Sequence, residues 1–208
     1  SQFVFSSEIK GIFAYGITPR LNKSSWCEII GLGPAHTPGN GVFENIHEVL
    51  SGHYLTINLT PDKKIILEDY CYWKLRSKIH KDDYNATVMH TNFLIEDSIK
   101  NQMVSDIPIC TFLSGGLDSS LVSSIVSKHL GEKSLATYSF DFVDNNINFK
   151  ANSFQTTRDR PYVDIMKDYL HSKHHYLECN NKNQIECLFK AVDARDMPCM
   201  ADVESSML

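Results

Sequence analysis

The sequence predicts an α/β protein, with a mainly β, α+β stretch over residues 1–75 followed by a parallel-sheet domain over residues 76–208. Three observations carry this expectation. Before Trp73 the chain shows strand-like alternation broken by turn residues. After Tyr84, short apolar runs of strand length alternate with segments of helical periodicity. A Ser/Gly-rich loop joins one of those runs to one of those helices. Between the halves, Lys74 to Asp83 is charged and poor in apolar residues, and is the predicted linker.

Taken in order, Phe3-Val4-Phe5 is a short apolar run read as a strand, and Ser6 or Ser7 is placed to cap a helix carrying Ile9, Ile12 and Phe13. Tyr15-Gly16 and Pro19 end it. Trp26 to Ile30 reads as a short helix closed by Gly31-Leu32-Gly33-Pro34, and Thr37-Pro38-Gly39-Asn40-Gly41 is turn chemistry throughout. His53 to Leu59 alternates as a strand with one buried face, and Ile65-Ile66-Leu67 and Tyr70 to Trp73 suggest further strand. In the second half, Val88, Phe93, Leu94, Ile95 and Ile99 mark a helix reaching about Val104, and Ile107 to Leu113 has the length of a buried strand. Leu121, Val122, Ile125, Val126 and Leu130 follow at helical spacing, then a strand from Leu135 to Phe142 and a polar, Asn-rich loop from Asp144 to Arg160. Pro161 to Leu170 is predicted helical with Tyr162, Ile165, Met166 and Tyr169 on one face. His175 to Leu177 is a further strand and Ile185 to Val192 a further helix. Such alternation argues for a parallel sheet covered on both faces.

Composition narrows the function. The net charge is -5 and the Lys and Arg residues are scattered, which argues against a nucleic-acid surface. No apolar run reaches membrane-spanning length, and no secretory signal pattern opens the chain, so neither membrane nor export is expected. Six cysteines lie far apart with no CxxC pair, which fits reduced thiols and a cytoplasmic location. His174 and His175 are adjacent, so on a strand they point to opposite faces and do not share a metal. The chain opens inside an apparent strand and stops at Met207-Leu208 inside an apparent helix, as an internal piece of a longer protein would.

The loop Ser114-Gly115-Gly116-Leu117-Asp118-Ser119-Ser120 carries the chemistry. A strand-to-helix junction in a parallel sheet lies at the carboxyl end of the strand, where ligands bind. Two glycines let the backbone approach a phosphate closely, the helix offers unpaired N–H groups and its positive dipole end, and three serines add hydroxyl donors. Asp118 would repel a bare phosphate, but belongs there if Mg²⁺ lies between carboxylate and phosphate. The plainer readings are a turn at Gly115-Gly116 and a helix N-cap at Asp118. The loop has no lysine, unlike the common GxxxxGK[ST] phosphate loop, and Lys128 lies more than two helical turns downstream. A site that grips the pyrophosphate end of ATP suits attack at the α-phosphorus.

The motif Ser114 to Ser120 resembles that of the N-type ATP pyrophosphatases, the PP-loop family. Val104-Ser105-Asp106-Ile107-Pro108 and Thr137-Tyr138-Ser139-Phe140 look like their counterparts in asparagine synthetases. Upstream, Phe5-Ser6-Ser7-Glu8-Ile9-Lys10 is similar to the FASE-K element late in that family's glutaminase domain, and Thr37-Pro38-Gly39, Val42-Phe43, Gly52-His53 and Tyr72-Trp73 recur there in the same order. Asp193-Ala194-Arg195-Asp196-Met197-Pro198 and Met200 to Ser206 look like a clostridial-type branch. The resemblance implies that residues 1–75 are the C-terminal part of a class II glutamine amidotransferase domain of the Ntn type, and residues 76–208 the start of a PP-loop synthetase domain. It implies substrates ATP, aspartate and glutamine, with Mg²⁺, and adenylation of the aspartate β-carboxylate before ammonia displaces AMP. Leu113 and Phe140 would flank the adenosine, Phe140 being equally readable as a plain core aromatic. Ser114, Gly115, Gly116, Leu117, Asp118, Ser119 and Ser120 would cradle pyrophosphate, with Asp118 on the metal.

The departures shape the expectation further. The family's glutaminase nucleophile is an N-terminal cysteine, whereas this chain starts with Ser1, and the second acidic ATP loop would lie beyond Leu208. The 208 residues by themselves are therefore expected neither to hydrolyse glutamine nor to make asparagine. Asp141 replaces a small residue common after that strand, and Cys199 a common glycine. Two other readings stay open: a synthetase of the same plan acting on another carboxylate, as β-lactam-forming relatives do, and a non-catalytic nucleotide-binding fragment. Unpaired sheet edges leave association into a homo-oligomer open.

Overall fold

The computed structural model describes residues 2–131, 135–153, 155–200 and 204–205. The chain separates into two compact units, Ser1–Ile79 together with Ile185–Leu208, and His80–Gln184.

In the first unit, residues 2–7 form no strand, and Phe5 is 80% exposed. Helix α1 (Ile9–Ala14) has Glu8 at its N-cap; Ser6 Oγ merely accepts from the Glu8 N–H at 3.4 Å, so neither predicted serine caps the helix. Helix α2 (Lys23–Leu32) begins earlier than the apolar spacing predicts. Asn22 and Ser25 form a reciprocal capping box, with the Ser25 N–H donating to Asn22 Oδ1 at 2.9 Å, and Gly31 is absorbed into the helix. The turn residues do as their chemistry dictates: the Asn40 N–H donates to the Thr37 carbonyl at 2.9 Å and Gly39 has φ +86.

Strands β1 (His53–Leu59) and β2 (Ile65–Cys71) make an antiparallel hairpin in register from His53↔Cys71 to Leu59↔Ile65. β2 runs unbroken through Glu68-Asp69 because those carboxylates find cross-strand partners, Thr56 Oγ1 at 3.2 Å and His53 Nδ1 at 2.7 Å. The expected buried face of β1 is not seen: Leu55, Ile57 and Leu59 are 37%, 45% and 71% exposed, since the described residues pack neither face of the two-stranded sheet. Helical and strand content are similar over these residues, at 6 and 10 residues against 7 and 7.

In the second unit, helix α3 (Tyr84–Asn101) is capped by Asp83, whose side chain accepts from the Ala86 N–H at 2.8 Å. Strand β3 (Cys110–Phe112) leads to helix α4 (Leu117–Leu130), and strand β4 (Ala136–Phe142) to a one-turn helix α5 (Asn145–Asn148) inside the stretch predicted as loop. Helix α6 (Arg160–Leu170) and strand β5 (Lys173–Cys179) follow, and helix α7 (Asn181–Arg195) runs across the unit boundary. The sheet is parallel in the order β3-β4-β5, as the alternation predicts. Within the first unit the residues after Gln184 are tied down by Lys10, whose N–H donates to Asp196 Oδ2 and whose ammonium donates to the Ala194 carbonyl, each at 2.8 Å.

The two faces of the parallel sheet differ. One carries Thr111, Thr137, Ser139, His174, Tyr176 and Glu178, and helices α4 and α6 lie on it, as the 2.8 Å Thr111–Ser123 and 2.5 Å Tyr176–Asp164 hydrogen bonds record. The other carries Phe112, Tyr138, Phe140, Phe142 and Leu177, and Phe112 is 63% exposed. Coverage on both faces is thus not what the described residues show. Because the covered face is polar, α4 turns Ser123 and Ser127 inward beside Ile125 and Val126, and leaves Leu121, Val122 and Leu130 exposed. On α6 the buried pair is Val163 and Leu170, which form the core cluster with Leu113. Of the predicted face, Met166 packs on that cluster, while Tyr162, Ile165 and Tyr169 are exposed. Of the sequence features noted at the chain ends, Ser1, Ala201 to Val203 and Ser206 to Leu208 lie outside the described residues.

Candidate functional site

The predicted loop sits at the carboxyl end of β3. The Leu113 N–H donates to the Tyr138 carbonyl at 2.7 Å, extending the ladder one residue beyond the strand, and the Leu113 side chain is fully buried against Val163 and Leu170. The chain thus enters the loop from a fixed point. Beyond it the loop closes on itself through Ser119. Ser119 Oγ accepts from the Ser114 N–H at 3.2 Å, lies 2.9 Å from Ser114 Oγ, and donates to the Gly116 carbonyl at 3.3 Å. The Gly116 N–H reaches Ser114 Oγ at 3.4 Å.

Gly115 has φ +77, and a Cβ there would lie 2.5 Å from Tyr162 Cβ and 2.7 Å from the Val163 nitrogen. The glycine is therefore required twice, by its dihedral and by the direct contact between the loop backbone and the first turn of α6. Gly116, not Asp118, occupies the N-cap of α4. Asp118 sits in the first turn, exposed, with no hydrogen bond or ion pair among the described residues. Leu117 is 84% exposed. The Ser120 hydroxyl is buried without a partner among the described residues. The leading N–H groups of α4 have no acceptor within the helix, so the loop offers the donors of the helix start beside one unpaired carboxylate, while the Ser114 and Gly116 N–H groups are taken up by Ser119 Oγ and Ser114 Oγ.

The sequence model of the asparagine synthase family matches residues 90–208. The chain belongs to the asparagine synthase family. Its similarity to curated relatives extends upstream of that match. The glutamine-hydrolysing asparagine synthetase 3 of Bacillus subtilis is 40% identical over 212 residues, covering 100% of this chain and 34% of its own length. The glutamine-hydrolysing asparagine synthetase 2 of the same organism is 31% identical over 61% of this chain and 18% of its own. The asparagine synthetase B of Escherichia coli is 41% identical over 29% of this chain and 12% of its own. The chain thus spans about a third or less of the length of these relatives.

Within this asparagine synthase chain, the structure brings Leu113 and Ser114 to Ser120 together. It places Phe140 on β4, two residues past the Tyr138 carbonyl that receives Leu113. The Phe140 ring packs edge-to-face on Phe142, with centroids 5.0 Å apart, and its backbone pairs with Leu177. Lys128 is no part of the loop, its ammonium lying 3.5 Å from Glu96 on α3. His174 and His175 face opposite ways as expected. His175 stacks on Tyr138, while His174 lies between Thr137 Oγ1 at 2.8 Å and Ser139 Oγ at 2.9 Å.

A cleft of ≈ 550 Å³ opens at the other end of the sheet, lined by Lys167, Asp168, His171, Ser172, His174 and Tyr176. Much of its polar lining is already committed. Asp164 takes Lys167 at 2.8 Å and the Tyr176 hydroxyl at 2.5 Å, and these bonds hold its carboxyl below the usual carboxylate range. Sequence reasoning missed Tyr162 and Val163, on which the loop rests, and Arg160 beside them. Their one local signal is Pro161 in the first turn of α6, which marks a helix start and nothing about its neighbours.

Proposed function

We propose that this chain is part of an ATP-dependent ligase that makes asparagine from aspartate with glutamine as amide donor, and that Leu113 to Ser120 and Phe140 form its nucleotide site. The observation that carries the reading is a cradle stitched by Ser119, at the carboxyl end of β3 and at the start of α4. Anions bind at such a junction because unpaired N–H groups and the helix dipole converge there. Membership of the asparagine synthase family supports the reaction class.

In this reading the leading N–H groups of α4 donate to the β- and γ-phosphate oxygens, while the Ser114 and Ser119 hydroxyls, bonded to each other and to the Gly116 carbonyl, hold the loop in shape around them. Asp118 would hold Mg²⁺. One unpaired carboxylate fits that ion, which usually binds through one or two carboxylates together with substrate phosphates. When bound, the metal would screen the phosphate charge that Asp118 alone would repel. With the pyrophosphate end gripped and Phe140 beside the adenosine, the aspartate β-carboxylate attacks the α-phosphorus. The bond to the bridging oxygen breaks, pyrophosphate leaves, and β-aspartyl-AMP forms. Ammonia from glutamine then attacks the acyl carbon and expels AMP. Residues 1–75 fit the C-terminal part of a class II, Ntn-type glutaminase domain and residues 76–208 the start of the synthetase domain. The 208 residues alone would complete neither half-reaction.

Calorimetry of ATP binding with and without Mg²⁺, on this chain and on Asp118→Ala, tests the site. Metal-dependent binding that the variant loses is the expected result; equal binding by both would remove Asp118 from the metal. Aspartate-dependent pyrophosphate release by the full-length protein tests the reaction, and release driven only by a different carboxylate would assign another acceptor.

A further inference from the structure

The contact between Gly115 and α6 makes the loop's position depend on where α6 starts, and that start is not held by a conventional cap. Asp159, at the N-cap, makes no side-chain hydrogen bond to the helix. Instead Arg160 reaches across the carboxyl ends of two strands. Its Nη1 donates to Glu178 Oε1 on β5 at 2.5 Å and lies 3.7 Å from Asp141 Oδ2 on β4, and its guanidinium covers the Tyr176 ring at 4.0 Å. Asp141 is fixed in turn, its Oδ1 accepting from the Phe142 N–H at 2.8 Å and from Asn145 Nδ2 at 2.6 Å. One guanidinium therefore joins the end of β4, the end of β5 and the first turn of α6. The next residues of that turn, Tyr162 and Val163, are the ones Gly115 touches.

We infer that Arg160 is a positioning residue for the pyrophosphate loop: clamped by Asp141 and Glu178, it holds the first turn of α6 against Gly115 and so keeps the Ser114–Ser120 cradle in its binding geometry. The inference rests on the nucleotide site proposed above. A planar cation suits the task, because its Nη1 meets carboxylates from two strands while its flat face covers an aromatic ring, where an ammonium would act as a point charge. Arg160 needs no contact with the nucleotide; it acts through the backbone that the loop leans on.

The test separates position from charge. Binding of inorganic pyrophosphate with Mg²⁺ is measured by calorimetry on the chain, on Arg160→Gln and on the double variant Asp141→Asn with Glu178→Gln, and amide hydrogen exchange of Ser114 to Ser120 is followed in each. Removing two carboxylates near an anion site should tighten binding if charge alone matters. The clamp predicts the opposite. Both variants should bind roughly tenfold or more weakly, on the scale of misplacing a binding group by a fraction of an ångström, with faster exchange at Gly116 and Ser120. Tighter binding by the double variant, or unchanged exchange in the loop, would overturn the inference. Should Arg160→Gln fail to fold, the double variant decides alone. Should the unaltered chain bind no pyrophosphate, the nucleotide reading fails, and the exchange rates still decide whether Arg160 positions the loop.

Discussion

Ser114 and Ser119 are bound to one another across the loop, hydroxyl to hydroxyl at 2.9 Å and with the Ser114 N–H donating to Ser119 Oγ at 3.2 Å. The cradle is therefore tied together by its own side chains, which would reduce the entropy cost of binding the proposed nucleotide. Ser119→Ala removes both of these ties and the bond from Ser119 Oγ to the Gly116 carbonyl. Each neutral hydrogen bond contributes about 0.5–1.5 kcal/mol, so ATP affinity should fall about tenfold or more. The midpoint of thermal unfolding should move little, because the loop is largely exposed. Calorimetry paired with a melting curve checks both halves, and a large loss of stability with unchanged affinity would contradict the assignment.

Gly115→Ala should cost stability as well as binding. Its backbone is left-handed, which costs an L residue about 1–2 kcal/mol. The new Cβ would also meet Tyr162 Cβ at 2.5 Å and the Val163 nitrogen at 2.7 Å, and a backbone atom cannot swing away. Adding about 1–3 kcal/mol for overpacking, urea unfolding should register a loss of roughly 2–5 kcal/mol. A loss well under this would mean that α6 does not bear on the loop.

The covered face of α6 can be tested by contrast. Val163 is 1% exposed and Ile165 64%. Val163→Ala should destabilise by about 2 kcal/mol through lost burial and a residual cavity, and Ile165→Ala by less than about 0.5 kcal/mol, as exposed substitutions do. Equal effects would show that the amphipathic face read from sequence is the buried one.

His174 makes stability depend on pH. Burial pushes its imidazole below the ordinary 6.5, and Lys167 pushes the same way; Asp164 opposes, and His175 and Arg160 add further lowering. The charged form is thus disfavoured in the folded state. As pH falls below 6.5 the unfolded chain takes up a proton that the folded chain refuses, so stability present above 6.5 is lost towards the folded-state value. Urea midpoints of the native chain should drop between about pH 7.5 and about pH 5.5, and His174→Gln should flatten that drop. A variant with the same slope would assign the titration elsewhere.

How much of this was legible in advance differs by element. The strand–loop–helix carrying Ser114 to Ser120 could be read directly, since glycines, serines and the change of periodicity are local signals. The hairpin was legible as strand but not as two open faces, because alternation records what a residue prefers and not whether anything covers it. Neither the capping box of Asn22 and Ser25 nor the one-turn helix at Asn145–Asn148 was found. Both start in polar stretches where side chains that cap also make turns.

The sequence by itself determined the asparagine synthase loop, its place between β3 and α4, and the parallel alternation around it, all matters of backbone preference within a few neighbouring residues. Only the tertiary structure decided that α4 buries Ser123 and Ser127, that α6 buries Val163 and Leu170, and that Gly115 rests on Tyr162. A helix turns inward whichever side matches the surface it meets, and here that surface is a polar sheet face assembled from Thr111, Thr137, Ser139 and His174, residues far apart in the chain.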